Sequence, residues 1–276
     1  MKVLIVGLGL MGGAYAYKLK NKGYKVYGTD INKKSIEYAI FNGFIDDGSA
    51  KPELFIAKSD IIVLALYPNL IIDFLKKYSK YFNENQIITD ISGVKNSFIY
   101  EAEKLALPAS YVSHHPMAGR EKSGVNYSKE VSFKSANYLI TTTENSKQYA
   151  IEILKQLGKD LGFGKIHVID CNKHDNVIGF TSQLTHAIAV SLVNSDKDKD
   201  TKYYIGDSYR DLTRIAKINE VLWSELFLEN KDNLLKHIET FEHELDNLKN
   251  ALKNDDREKL KEIFINSTMI RKEMDK

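Results

Sequence analysis

The run SHHPMAGREKSG, residues 113–124, sets two histidines side by side, followed by a proline, a small-residue turn and the charged pair Arg120-Glu121. A neutral imidazole, with a pKa near ~6.5, is matched to taking a proton from an alcohol as hydride leaves the same carbon. His115 precedes Pro116 and is therefore biased toward extended backbone. In an extended run His114 and His115 point to opposite faces, so only one of them can face a bound reactant. From these residues alone, a proton-accepting histidine and a hydrogen-bonded loop histidine stand equally open.

A second candidate for chemistry lies at the start of the chain. KVLIVGLGLMGGAYAYKL opens with a continuous apolar run, the mark of a strand buried on both faces of a parallel sheet. Gly7, Gly9 and Gly12 then stand at G-x-G-x-x-G spacing, with Leu10 and Met11 between the last two. Gly7 permits the tight turn, Gly9 lets backbone approach a pyrophosphate, and Gly12 lets the following helix pack close to the strand. The helix's free N–H groups and positive dipole end then face the phosphates. A second strand, KVYGTD, ends in Asp30, where a carboxylate can accept from both ribose hydroxyls and would repel a 2′-phosphate. This pattern predicts a dinucleotide site that prefers NAD, with Lys33 and Lys34 close enough to soften the preference.

The elements that must hold these groups follow from the apolar pattern. SDIIVLALYP, NQIITDISG and SYVSHH read as further buried strands, with helical stretches near residues 51–57, 69–80 and 95–106. The alternation predicts an α/β fold, a Rossmann-type doubly wound parallel sheet over residues 1–169, with ligands beyond the carboxyl ends of the strands. SANYLITTT and GKIHVID read as two later strands extending the sheet edge. From residue 170 to 276 the spacing is helical, which predicts an all-helical second domain. Leu234, Ile238, Phe241, Leu245, Leu248 and Leu252 form an a/d seam, and Leu260, Ile263 and Phe264 open a second amphipathic helix. The seam fits a helix packed in its own domain core and a homodimer interface equally well.

The totals narrow the class. The chain has 276 residues, 43% hydrophobic and 28% charged, with a net charge of +2, which disfavours a broad nucleic-acid surface. A single cysteine, Cys171, excludes an internal disulfide framework and suits a reducing compartment. The start runs straight into strand-like sequence and no apolar run reads as a membrane span, so the expectation is a cytoplasmic protein without membrane or nucleic-acid partners. The histidines do not fall into a ligand cluster, and no metal site is expected.

HHPMAGREKSGV resembles the H-P-x-A-G-x-E-x-S-G signature of the prephenate dehydrogenase family of tyrosine biosynthesis. TDISGVK (89–95), HDNVIGFTSQLTHAIA (174–189) and DLTRIAKINEVLWSELFLENKDNL (211–234) are similar to further family motifs in family order. The resemblance covers nearly the whole chain. It implies oxidative decarboxylation of prephenate to 4-hydroxyphenylpyruvate with NAD as cofactor, in a homodimer. It implies that His115 helps remove the proton of the ring hydroxyl, that Arg214 binds a substrate carboxylate, and that His186 and Trp223 lie near the substrate. It places Glu121 and Asp175 in an ionic network with the arginine around the entrance, and Asp211, three residues before Arg214, is positioned to hold it. His114 is left to packing or a supporting bond. Tyrosine, being product-like, is a candidate feedback ligand.

Two departures stand out. Relatives often read G-S-V-K or G-S-T-K where this chain has Ser92-Gly93-Val94-Lys95, so Ser92, the candidate catalytic hydroxyl, sits one position early. Arg120 stands where many relatives carry a small or hydroxyl side chain, and could add a substrate-carboxylate contact, touch the cofactor phosphates or face solvent. The nearest alternative activity is arogenate dehydrogenase. A β-hydroxyacid dehydrogenase, which uses a catalytic lysine in the second domain, and a non-catalytic dinucleotide sensor are more distant.

Overall fold

A computed structural model describes residues 1–119 and 122–275. Its first half is built on β1 (Lys2–Val6), β2 (Lys25–Thr29), β3 (Asp47–Gly48), β4 (Ile61–Leu64), β5 (Ile87–Asp90) and β6 (Ser110–Tyr111). These form a six-stranded parallel sheet in the order β3-β2-β1-β4-β5-β6. The order reverses direction at β1, which opens a crevice beyond the carboxyl ends of β1 and β4. Helices α1 (Leu10–Asn21), α2 (Lys33–Phe41), α3 (Glu53–Ile56), α4 (Pro68–Tyr78) and α5 (Ile99–Ala106) connect the strands. Alternation along β1 divides the core: Val3 and Ile5 join one apolar cluster with Tyr15 and Leu19 of α1, and Leu4 and Val6 join the other with Leu75 and Ala102. Pro68 occupies the first turn of α4, where its missing N–H costs nothing.

The next strands depart from expectation. β7 (Ser113–Pro116) continues directly from β6 but leaves the large sheet, pairing antiparallel with β8 (Asn137–Thr142), which pairs parallel with β9 (Lys165–Asp170). SANYLITTT and GKIHVID therefore build a separate three-stranded sheet and do not extend the first. The reason is pairing: β8 hydrogen-bonds to β7 and β9 and to no strand of the six-stranded sheet. Helix α6 (Gln148–Leu161) joins β8 to β9 and buries Leu154, Leu157 and Leu161.

From Cys171 the chain is helical. α7 (Cys171–Ile178), a π-helical turn (Gly179–Leu184) and α8 (Thr185–Ser195) run as one continuous helix. Contrary to the sequence expectation, this helix reaches the length and hydropathy of a membrane span. It carries the buried polar residues His174, Asp175 and Gln183, and its first segment α7 packs on β8 and β9 of the nucleotide-binding half. α9 (Asp207–Thr213), α10 (Glu220–Glu229), α11 (Lys231–Lys253) and α12 (Arg257–Met274) follow. α10 is tied back to the first half by Asn69 N–H donating to Glu225 at 2.9 Å. Along the α11 seam Leu234 is buried and Ile238, Phe241 and Leu248 are half-buried, whereas Leu245 and Leu252 are 52% and 56% exposed, so a core position within one chain accounts for part of it.

Candidate active site

The glycine turn has the shape the spacing predicts. Gly7 adopts φ +92°, and a Cβ there would lie 2.4 Å from the carbonyl oxygen of Ala65. A Cβ on Gly12 would lie 1.9 Å from the carbonyl oxygen of Gly7, so only hydrogen lets α1 sit this close to β1. At Gly9, the cap of α1, a Cβ meets nothing within 4 Å. Leu10 and Met11 open the helix, half-buried against the core. Asp30 accepts from Leu8 N–H and Asn32 N–H, each at 2.7 Å, which orients its carboxylate over the turn with lone pairs left for a ribose. A free helix N-terminus behind a close-packed turn, flanked by an oriented carboxylate, fits a dinucleotide's pyrophosphate and ribose.

The two histidines separate as strand alternation requires. His114 is fully buried, with Nε2 3.0 Å from Tyr15 Oη and Nδ1 2.7 Å from Thr89 Oγ1. Burial, with Lys95 adding to it, pushes its pKa down to about 3, so it is a neutral strut. Beneath it lies a buried ion pair: Lys95 Nζ donates to Asp90 Oδ1 at 2.8 Å and to the carbonyl of His114 at 2.9 Å. Tyr111 and Ser113 hydroxyls donate to the other oxygen of Asp90. Burial alone would raise the Asp90 carboxyl, but Lys95 and these hydroxyls outweigh it and hold it low. This cluster fixes the backbone of the strand that presents His115.

His115 points the other way and is half-buried. Its Nδ1 lies 3.0 Å from Nε2 of His174, and Nδ1 of His174 lies 2.7 Å from Oδ1 of Asp175. Burial first, then His174 and Lys95, hold His115 well below the usual histidine range. Asp175 is fully buried, accepting from the backbone N–H of Lys95 at 3.0 Å and of Asn96 at 2.7 Å. The expected place of Asp175 at the entrance is thus corrected: the carboxylate is buried behind His174, held by the backbone of the loop leading into α5. His174 was not among the sequence candidates. Its signal was present in the adjacent pair His174-Asp175 at the head of an apolar helix, but the contact with His115 spans 59 positions.

α10 roofs this end of the site. A Cβ on Gly93 would lie 3.8 Å from Cε1 of His115 and 3.5 Å from Leu226 of α10. Three residues earlier on the same helix, Trp223 stacks on His186, with ring centroids 3.7 Å apart. His186 Nδ1 faces the carbonyl of Ser182 at 2.8 Å and so donates to it. Arg214 opens a short 3-10 turn that packs on α8, the helix of His186. Asp211 is exposed on α9, and among the described residues no ion pair joins it to Arg214, since the helix gives way to the turn between them. Ser92 is buried, and its Oγ accepts from Val94 N–H at 3.4 Å, so the described contacts make it a turn residue; the position beside His115 belongs to Gly93. Arg120 and Glu121 lie outside the described residues.

Comparison with known proteins bears on the whole chain. The sequence model described as prephenate dehydrogenase, nucleotide-binding domain, matches residues 15–167, and the one described as prephenate dehydrogenase, dimerization domain, matches residues 170–266. Prephenate dehydrogenase of Bacillus subtilis is 29% identical over 274 residues, covering 95% of this chain and 73% of that protein. The Lactococcus lactis enzyme of the same name is 30% identical, covering 99% and 77%. The crystal structure of prephenate dehydrogenase from Aquifex aeolicus in complex with hydroxyphenyl propionate and NAD+ superposes with a TM-score of 0.88 at 33% identity, over 99% of this chain and 98% of that one.

Proposed function

The chain belongs to the prephenate dehydrogenase family, and from that membership we propose that it converts prephenate to 4-hydroxyphenylpyruvate and CO2 in tyrosine biosynthesis. It is an oxidoreductase, and NAD is its cofactor, in keeping with the glycine turn, Asp30 and the Aquifex relative's NAD+ complex. When bound, NAD+ supplies the hydride acceptor.

The observation that carries the reading is the setting of His115. It stands on β7 past the carboxyl ends of β4 and β5, its Nδ1 engaged by His174 and its Nε2 without a hydrogen-bond partner among the described residues. A ring hydroxyl brought to Nε2 can give up its proton as hydride leaves the same carbon. The ring carboxylate, on the carbon across the ring, then departs as CO2 and the ring becomes aromatic, a downhill step that asks the protein chiefly for positioning. Arg214 holds a substrate carboxylate with its planar guanidinium, and the stacked pair His186–Trp223 borders the other end of the substrate. Arg120 and Glu121 are retained as candidate substrate and entrance residues on the family pattern alone. We further propose a cytoplasmic homodimer whose interface covers the exposed leucines of α11.

The test is initial-rate measurement with prephenate or arogenate, each with NAD+ or NADP+. Prephenate with NAD+ as the best pair supports the proposal. A preference for arogenate reassigns the substrate within the family, and turnover of neither removes the proposed activity.

A further inference from the structure

We propose that His174 and Asp175 set the tautomer of His115 and share the proton it takes from substrate. The inference rests on His115 acting as the base of the reaction above.

The hydrogen bonds assign every proton in the chain of three groups. An ionised carboxylate only accepts. Asp175 Oδ2 accepts from Asn96 N–H at 2.7 Å, and Oδ1 from Lys95 N–H at 3.0 Å and from His174 at 2.7 Å. His174 Nδ1 therefore carries hydrogen, and its Nε2 carries a lone pair. The 3.0 Å contact between His174 Nε2 and His115 Nδ1 can then be filled only by the hydrogen of His115. That leaves the lone pair of His115 on Nε2, the nitrogen without a described partner. The opposite tautomer would present an N–H to the substrate hydroxyl and could not take its proton.

Cost also points to function. A fully buried carboxylate and imidazole are expensive to hold unless every partner is supplied. Here the partners are supplied in layers. Asn230 Nδ2 donates to the carbonyl of Asp175 at 2.8 Å and to Gln183 Oε1 at 2.7 Å, and Gln183 Nε2 donates to Leu226 O at 2.8 Å. The π-helical turn that contains Gln183 is thus clamped between α10 and the head of α11, and His174 is held in register with β7. Lys95, Asp90 and His114 are the other titratable groups close to the two rings.

The proton balance closes. The substrate O–H breaks and His115 Nε2–H forms while hydride leaves the adjacent carbon for the cofactor. The Nδ1 hydrogen of His115 passes toward His174 Nε2, placing positive charge against the Asp175 carboxylate. When the bond to the departing carboxylate breaks, its electron pair aromatises the ring and leaves negative charge on the ring oxygen. That oxygen recovers the proton from His115 Nε2, and His174 returns the other. No net proton is released by the protein.

The tautomer is readable without substrate, by nitrogen–proton correlation NMR of the histidine-labelled free protein, with the His115 signals identified by their loss in His115→Asn. The expected result is hydrogen on Nδ1 and a bare Nε2. In Asp175→Asn the amide nitrogen faces His174 and donates, which reverses the chain and moves the His115 hydrogen to Nε2. That variant is expected to lose about 10²-fold or more in kcat on prephenate with KM nearly unchanged. His174→Gln accepts from His115 but cannot take a proton, so it should keep the wild-type tautomer and lose less rate. Hydrogen on Nε2 in the wild type overturns the inference, as does normal turnover by Asp175→Asn. So does a loss by that variant in KM alone with the tautomer unmoved. If wild type reacts with neither prephenate nor arogenate, the reaction and the proton-sharing fall, while the spectra still decide the tautomer.

Discussion

His114 and His115 adjoin in the chain and bond in opposite directions, the first to Tyr15 and Thr89 inside the nucleotide-binding half, the second to His174 of the helical half. One strand thereby carries a strut on one face and the proposed base on the other.

The strut has a consequence in acid. His114 has its pKa near 3 in the fold and about 6.5 in an unfolded chain, so the neutral form is favoured by folding. Its stabilising contribution is complete above about pH 6.5 and declines as pH falls toward 3, by about 1.4 kcal/mol per pH unit, because the unfolded chain binds a proton the folded one refuses. His115 and His174 are shifted the same way. In urea titrations the stability gap between wild type and His114→Gln should narrow by roughly 2 kcal/mol from pH 7 to pH 5. A gap that does not change with pH would contradict the buried neutral ring.

The glycines divide by what surrounds them. Gly12→Ala forces a methyl to 1.9 Å from the Gly7 carbonyl and should cost about 1–3 kcal/mol of stability. Gly9→Ala meets no atom within 4 Å and should fold with stability changed by less than about 0.5 kcal/mol. Its methyl nevertheless stands at the N-terminus of α1, and titration calorimetry should show NAD+ affinity down about tenfold or more, near 1.4 kcal/mol. Unaltered affinity in Gly9→Ala would place the pyrophosphate elsewhere.

Much of this was legible before any coordinates. The glycine turn and Asp30 were readable because their causes are local, and the opposition of the two histidines because strand alternation needs only two residues. The His174–Asp175 support was not, since it depends on α7 folding back across the end of β5. The separate small sheet was hidden for a similar reason: β6 and β7 are one continuous run, and the break between them is set by where β8 returns. The length and hydropathy of Cys171–Ser195 are hidden in the sequence because polar residues, Lys173, His174, Asp175 and Gln183 among them, are scattered between its apolar ones.

Ser92 makes a turn bond, and it is Gly93 that lies beside His115. Ser92→Ala removes a 3.4 Å turn bond and should cost less than about 1 kcal/mol, with kcat within about threefold of wild type. Gly93→Ser has room at van der Waals distance and sets a hydroxyl beside Cε1 of His115, so it should change kcat. A tenfold loss in Ser92→Ala with an unaffected Gly93→Ser would restore Ser92 to the chemistry.

Arg214 should report on binding more than on the chemical step. Arg214→Gln is expected to raise KM for prephenate by about 10–100-fold, the worth of charge-assisted bonds to a carboxylate, with a smaller effect on kcat. Arg214→Lys should fall between, because an ammonium cannot pair with both oxygens in one plane. Wild-type KM in Arg214→Gln would remove the residue from the site.

The most direct measurement is the single-turnover rate of His115→Asn with prephenate and saturating NAD+, beside its NAD+ affinity. The expected result is a rate about 10²-fold or more below wild type with cofactor binding intact. A rate within a few-fold of wild type would contradict His115 as the group that takes the proton.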